Sequence, residues 1–275
     1  MRNPPGPAAF VELLAPALRE AASLARSMEG RVANRPKAGE ATPVKAALTV
    51  ADTAAQELLL SALLERFAHV QLEAEEDTPT AARFAGSGDS VVVVDPIDGT
   101  LRFYLEGLGP YSIMAGLAIR GCYQAAVVAL PRERLYFDAV LGAGARVADG
   151  DEPARAARAE ADGRRVLISH DLPGRAVEVL LAHGYQVAPA SGGAISVAPL
   201  VPGVRAGLRW VSAGSVSTRG RIGTLIAAEA GALVCDGSGE PFVRDIRAQA
   251  GALLVAADLE DLAALRAAVA AISSG

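Results

Sequence analysis

Residues 91–100 read Val91-Val92-Val93-Val94-Asp95-Pro96-Ile97-Asp98-Gly99-Thr100. Four consecutive β-branched residues with no polar interruption are the pattern of a strand buried on both faces. The strand runs into a turn carrying two carboxylates, a proline, a glycine and a hydroxyl. Pro96 fixes that turn, so Asp95 and Asp98, three residues apart, converge on one point. Gly99 permits a tight bend and frees backbone amides for an anion, and Thr100 adds a hydroxyl beside them. The carboxyl end of a buried strand is where α/β sheets place ligands. Oxygen donors gathered without His or Cys suit Mg²⁺ rather than zinc. Upstream, Glu75 and Glu76 supply further carboxylates that folding can bring alongside. A solvated turn is the bland alternative, and it explains the acidic run Glu73, Glu75, Glu76 and Asp77 better than it explains the hexapeptide.

On the N-terminal side, apolar residues recur at helical spacing from Phe10 to Met28, with Pro16 inside the pattern as a start or kink and Gly30 as a stop. Residues 31–47 lack a period and read as a loop. Thr49 precedes a second helix over 50–67, and 70–72 reads as a short strand. On the C-terminal side, 111–119, 124–130 and 135–140 form a strand meander, punctuated at its end by Gly142, Gly144 and Gly150. Residues 151–164 are a charged surface connection. Strands at 165–169, 208–212 and 232–235 then alternate with helices at 175–183, 194–200 and 223–230, and Asp258 caps a last helix to Ile272. The expectation is an α/β chain with an N-terminal α+β lobe over 1–150, carrying the acidic motifs, and a C-terminal α/β lobe over 151–275.

The chain has 275 residues, 51% of them hydrophobic, which excludes intrinsic disorder. Mean hydropathy is positive at +0.29, yet no apolar stretch approaches the ~20 residues of a membrane span. Pro4, Pro5, Pro7 and Glu12 do not make a signal peptide. The expectation is a soluble cytoplasmic protein with no membrane partner. A net charge of −5 argues against nucleic acid as a partner. Cys122 and Cys235 are isolated and read as small buried hydrophobes, and three scattered histidines leave catalysis to carboxylates. Gly107-Leu108-Gly109 and Gly142-Ala143-Gly144 do not lie between strand and helix, as dinucleotide loops would. Ser191-Gly192-Gly193-Ala194 either contacts substrate or simply starts a helix. Trp210 reads as core, and Arg102 and Tyr104 are weaker candidates for reaching a cleft.

At the hexapeptide the chain resembles the inositol monophosphatase family. Leu48-Thr49-Val50-Ala51-Asp52 is similar to that family's Val-Thr-x-Ala-Asp segment, and Ala74-Glu75-Glu76 to its Gly-Glu-Glu turn. The stretch from Leu135-Tyr136 through Gly142-Ala143-Gly144-Ala145 to Gly150, and Ala228-Glu229-Ala230-Gly231-Ala232, follow its later motifs over roughly residues 8–270. The resemblance implies one continuous fold, a layered αβαβα sandwich, in a homodimer. It implies one to three Mg²⁺ ions: Glu75, Asp95 and the Ile97 carbonyl at the first, Asp95 and Asp98 at a second. Glu75 and Thr100 would position or deprotonate the attacking water, and Gly99, Thr100 and Ser191 would meet the phosphate. The implied activity is Mg²⁺-dependent hydrolysis of a small phosphomonoester, an inositol, sugar or nucleotide phosphate, with that phosphorylated metabolite as the partner.

One motif departs. Ten residues before the Glu of its Glu-Ala-Gly segment the family has the Asp of a Trp-Asp pair, which completes the second metal site. Here that place holds Thr218-Arg219, and the run Ser217-Thr218-Arg219-Gly220-Arg221 contains no acid. Either a basic residue, Arg219, enters the cleft to pair with a carboxylate or the phosphate, or Arg219 and Arg221 face solvent, or the helix is shifted and another residue serves. The departure feeds a second functional expectation, a degenerate relative that binds a phosphorylated small molecule without hydrolysing it or with different chemistry.

Overall fold

In the computed structural model, which describes residues 6–160 and 162–273, the valine run forms the middle of a strand over Ser90–Asp98. Val92 and Val94 pack into one hydrophobic cluster and Val93 into another, so the period of two buries both faces. Three helices precede the first sheet in the chain: α1 (Pro7–Met28), α2 (Pro43–Ala46) and α3 (Val50–Phe67). The sheet comprises β1 (Gln71–Ala74), β2 (Ser90–Asp98), β3 (Ser112–Ile119), β4 (Cys122–Leu130), β5 (Leu135–Val140), β6 (Ala145–Asp149) and β7 (Arg155–Ala156), in that spatial order. Only the β1–β2 pairing is parallel; every other neighbour in this sheet is antiparallel.

The rest of the chain adds β8 (Arg165–Ile168), α4 (Gly174–Ala182), β9 (Gln186–Pro189), α5 (Gly192–Ser196), β10 (Val204–Trp210), α6 (Ile222–Glu229), β11 (Leu233–Asp236), β12 (Ala252–Ala256) and α7 (Leu259–Ser273). Its five strands lie in the order β11-β12-β10-β8-β9. Helices α1 and α3 pack on one face of the first sheet, α5 and α6 lie between the sheets, and α4 and α7 cover the far face of the second. The result is an αβαβα sandwich.

Several expected boundaries move. Helix α1 runs unbroken through Pro16. The expected helix over 194–200 divides into α5 and a 3₁₀ turn at Ala198–Leu200, and the expected strand over 208–212 ends at Trp210. The loop over 31–47 contains α2. Strands β6, β7, β9 and β12 were not anticipated. Cys235 is buried as expected, but Cys122 is only half-buried, and both are free thiols. Pro4 and Pro5 lie outside the described residues. Among the described residues no helix is long and apolar enough to cross a membrane.

Candidate active site

Side chains three apart on a regular strand point to opposite faces, so Asp95 and Asp98 need a device to meet. The device is a bulge. Asp95 pairs with Met114 of β3 and Asp98 with Ser112, so β2 spends one residue more than its partner between them. Pro96 sits inside this irregularity, where its missing N–H breaks no ladder bond. The chain then turns at Gly99, whose φ of 89° lies in the left-handed region. A Cβ there would also press on Phe103 and Ser191. Asp98 is fixed from across the cleft: its Oδ2 accepts a hydrogen bond from the Gly193 amide at 2.6 Å and from the Ser112 hydroxyl at 3.3 Å. The Ser191 hydroxyl touches that of Ser112 at 3.1 Å and accepts from the Ala194 amide, so it is an N-cap of α5 within the same network.

Helix α3 supplies the other support. Thr49 and Asp52 form a capping box: the Asp52 Oδ2 accepts from both the amide and the hydroxyl of Thr49, at 2.8 and 2.6 Å. Its second oxygen, Oδ1, accepts from the Thr100 hydroxyl at 2.9 Å. Among the described residues the one other partner of Thr100 Oγ1 is the Ile97 carbonyl, also an acceptor at 2.9 Å, so no donor from them occupies the lone pairs of that hydroxyl. One turn along the same face, Gln56 gives its side-chain N–H to the Glu76 carbonyl and accepts from the Glu76 amide. This reciprocal pair holds the turn after β1 that carries Glu75. Sequence reasoning named the Thr49–Asp52 segment but missed the roles of Asp52 and Gln56; the Thr-x-x-Asp spacing was the available signal.

Against these acids stand two cations. Lys37 Nζ lies 3.0 Å from Glu76 Oε1 and 3.4 Å from Glu75 Oε1. Burial disfavours its charge, but the two glutamates outweigh that and hold its pKa above the ordinary value. Glu76 is turned to this lysine, away from the cleft. Arg219 lies with Nε 3.3 Å from Asp95 Oδ2 and 3.8 Å from Glu75 Oε2. Burial again works against the guanidinium, while Asp95, Glu75 and Asp98 net raise its pKa. Asp95 is driven well above the carboxylate range by burial first, then by Glu75 and Asp98, with Arg219 offsetting only part. Burial likewise raises Asp52, against the hydrogen bonds from Thr49 and Thr100.

The two arginines of the departing motif differ in function. Arg221 is buried at 2% exposure, donates to the carbonyls of Val216, Val243, Asp245 and Ala248, and stacks on Phe242. It is a structural clamp for the 243–248 segment. Arg219 faces the acids, carried by a 3₁₀ turn that the Tyr123 hydroxyl anchors at the Thr218 carbonyl, 2.9 Å away.

Glu75, Asp95, Ile97, Asp98, Gly99, Thr100, Ser191 and Arg219 all line one cleft of about 580 Å³. Trp210, expected in the core, is half-buried and lines the cleft too, as do Arg209, Lys45 and His170. Tyr104 does not reach it: the side chain is buried and its hydroxyl bonds the Ala25 carbonyl. Arg102 pairs with Glu106 at the surface instead. Among the described residues no three His, Cys, Asp or Glu side chains gather closely enough to form a metal cage. The donor set nevertheless fits one hard cation. Asp95 Oδ1 is buried with no hydrogen-bond partner, and it stands with Glu75 and the Ile97 carbonyl. Two carboxylates and a carbonyl, completed by water and phosphate oxygens, are a magnesium-like set. A second cation finds less: Arg219 is on Asp95 Oδ2, and Asp98 Oδ2 is taken by Gly193 and Ser112.

Comparison with known proteins agrees with this geometry. By structure, the chain is similar to the IMPase of Thermotoga maritima (TM-score 0.72, 20% identity, covering 95% of this chain and 98% of that one). It is similar also to the extragenic suppressor protein SuhB of Bartonella henselae (0.70, 18%, 95% and 98%) and to SuhB of Mycobacterium tuberculosis (0.64, 24%, 95% and 97%). No curated protein matches it by sequence. The profile of the inositol monophosphatase family matches residues 9–181, which span α1 to α4 and so include every acidic group described above. On that match the chain belongs to the inositol monophosphatase family.

Proposed function

We propose that the chain is a Mg²⁺-dependent phosphatase acting on a small phosphomonoester. Family and fold support a phosphatase of this general type. The observation that carries the finer reading is the Asp52–Thr100 pair at the cleft floor. The Thr100 hydroxyl has an acceptor for its proton in Asp52 Oδ1, and free lone pairs for a water. In the reaction a water oxygen forms the new bond to phosphorus and the bond to the alcohol oxygen breaks. The water proton passes to Thr100 Oγ1 as the threonine proton moves to Asp52 Oδ1, and the leaving alkoxide is protonated by solvent. Glu75, Asp95 and the Ile97 carbonyl would hold the cation, which supplies water activation and charge neutralisation of the phosphate. Arg219, fixed on Asp95, provides positive charge at the place where the family's missing Asp would have added a carboxylate.

Phosphate release from inositol, sugar and nucleotide phosphates, with Mg²⁺ or with chelator, tests the proposal. Release that requires the metal and that Asp95→Asn abolishes is the expected result. The 3.3 Å contact between Arg219 and Asp95 favours a second reading, a protein that binds such molecules without hydrolysis. Its signature is binding of the same compounds with no release from any of them.

A further inference from the structure

We propose that the cleft contains a second anion subsite built on Arg209, so that the substrate is a phosphomonoester bearing another acidic group, a phosphate or a carboxylate. The inference rests on the phosphatase reading above. Arg209, next to last in β10, lines the same cleft as Asp95 and Thr100. Among the described residues its guanidinium makes no hydrogen bond and no ion pair, and its Nη1 is buried without a partner. The other arginines near the cleft and core are engaged: Arg221 by four carbonyls, Arg132 by Glu29 and two carbonyls, Arg219 by Asp95 and Glu75. An arginine cannot shed its charge, so the buried Nη1 of this half-buried side chain, left without an acceptor, is costly unless a ligand supplies one.

The fold makes room for this fork. A Cβ on either Gly192 or Gly220 would overlap Arg209 Nη1. Neither glycine has a positive φ, so backbone conformation does not require them; the guanidinium lies in the space their missing side chains leave. Gly192 also fixes where the fork lies. Its neighbour Ser191 sits against Gly99, and its other neighbour, Gly193, donates to Asp98. Arg209 therefore stands one residue along from the wall that faces the acidic end, and Gly220 places it beside Arg219. Lys45, exposed at the mouth and without an ion pair among the described residues, adds positive charge, and Asp171 is the acid lining that outer part. The cleft is thus acidic at its floor and mainly basic further out. A planar fork with free donors is suited to the paired oxygens of a phosphate or carboxylate more than to a neutral hydroxyl.

The test compares matched substrates in the Mg²⁺-loaded enzyme: glucose 1-phosphate against glucose 1,6-bisphosphate, and glycerol 3-phosphate against 3-phosphoglycerate. The wild type should favour the doubly acidic member of each pair at least tenfold in kcat/KM, mainly through KM. Arg209→Met should bring that ratio close to one, and Arg209→Lys should restore part of it. Equal kcat/KM values in the wild type, or a ratio unchanged by Arg209→Met, would overturn the subsite. Calorimetric binding of the same pairs to Asp95→Asn separates the two proposals. If no compound is hydrolysed, the phosphatase reading fails, and the subsite stands or falls on whether the doubly acidic compounds still bind tighter in an Arg209-dependent way.

Discussion

The two walls of the cleft treat buried charge in opposite ways. On the α3 wall, Asp52 and Gln56 tie Thr100 and the Glu75 turn together through neutral donors, and Asp95 keeps one oxygen without a donor. On the opposite wall a fixed guanidinium, Arg219, lies against the other oxygen of the same aspartate. The first arrangement leaves negative charge available to a diffusible cation; the second neutralises it with a tethered one. A buried carboxylate can be stabilised by either, but only the first can be loaded and unloaded with metal.

The largest effect should come from the α3 wall. Asp52→Asn keeps the shape of the capping box but removes the proton acceptor behind Thr100. The expected loss in kcat is about 10²-fold or more, with KM little changed. An unchanged kcat would detach Asp52 from the chemistry and leave it a helix cap. The comparison also predicts that Arg221, behind the opposite wall and unlike Arg219 not lining the cleft, serves stability. Arg221→Met strands four carbonyls inside the protein, at a cost of about 3 kcal/mol or more. That corresponds to a fall of roughly 6–12 °C in Tm. A melting curve within a degree or two of wild type would remove the clamp from the account.

The smallest effect is a pH dependence. Asp95 has its pKa raised above 3.8 in the folded chain by burial, Glu75 and Asp98. The metal-free folded state therefore holds a proton that the unfolded chain has released. Its stability falls as pH rises from the ordinary carboxylate value through the raised one. Melting of metal-free wild type across that window should drop more steeply than melting of Asp95→Asn. Parallel curves would mean that Arg219 already cancels the effect.

What was legible in the sequence was local. The valine run, the turn motif and the helix after Thr49 announce themselves within ten residues, and α3 and β2 lie where those patterns put them. The absence of an acid near Arg219 was readable for the same reason. Strand β12 was not: Ala252–Ala256 is five small and aliphatic residues, buried throughout, with no alternation to separate strand from helix. Strand β9 ends in proline, which weakens a strand reading. Lys37 and Gln56 meet the Glu75–Glu76 turn, and Arg209 the cleft, through long-range contacts that no spacing in the chain marks. Trp210 was assigned to the core because large apolar residues usually go there; its place at the end of β10 puts it on the cleft wall.

The measurement that bears most directly on the two-wall account is the stoichiometry of Mn²⁺ binding, by calorimetry, in wild type and in Arg219→Asp. The account predicts one site per chain in the wild type and a second gained when the guanidinium is replaced by a carboxylate. Two sites already present in the wild type, with affinities untouched by Arg219→Asp, would contradict it.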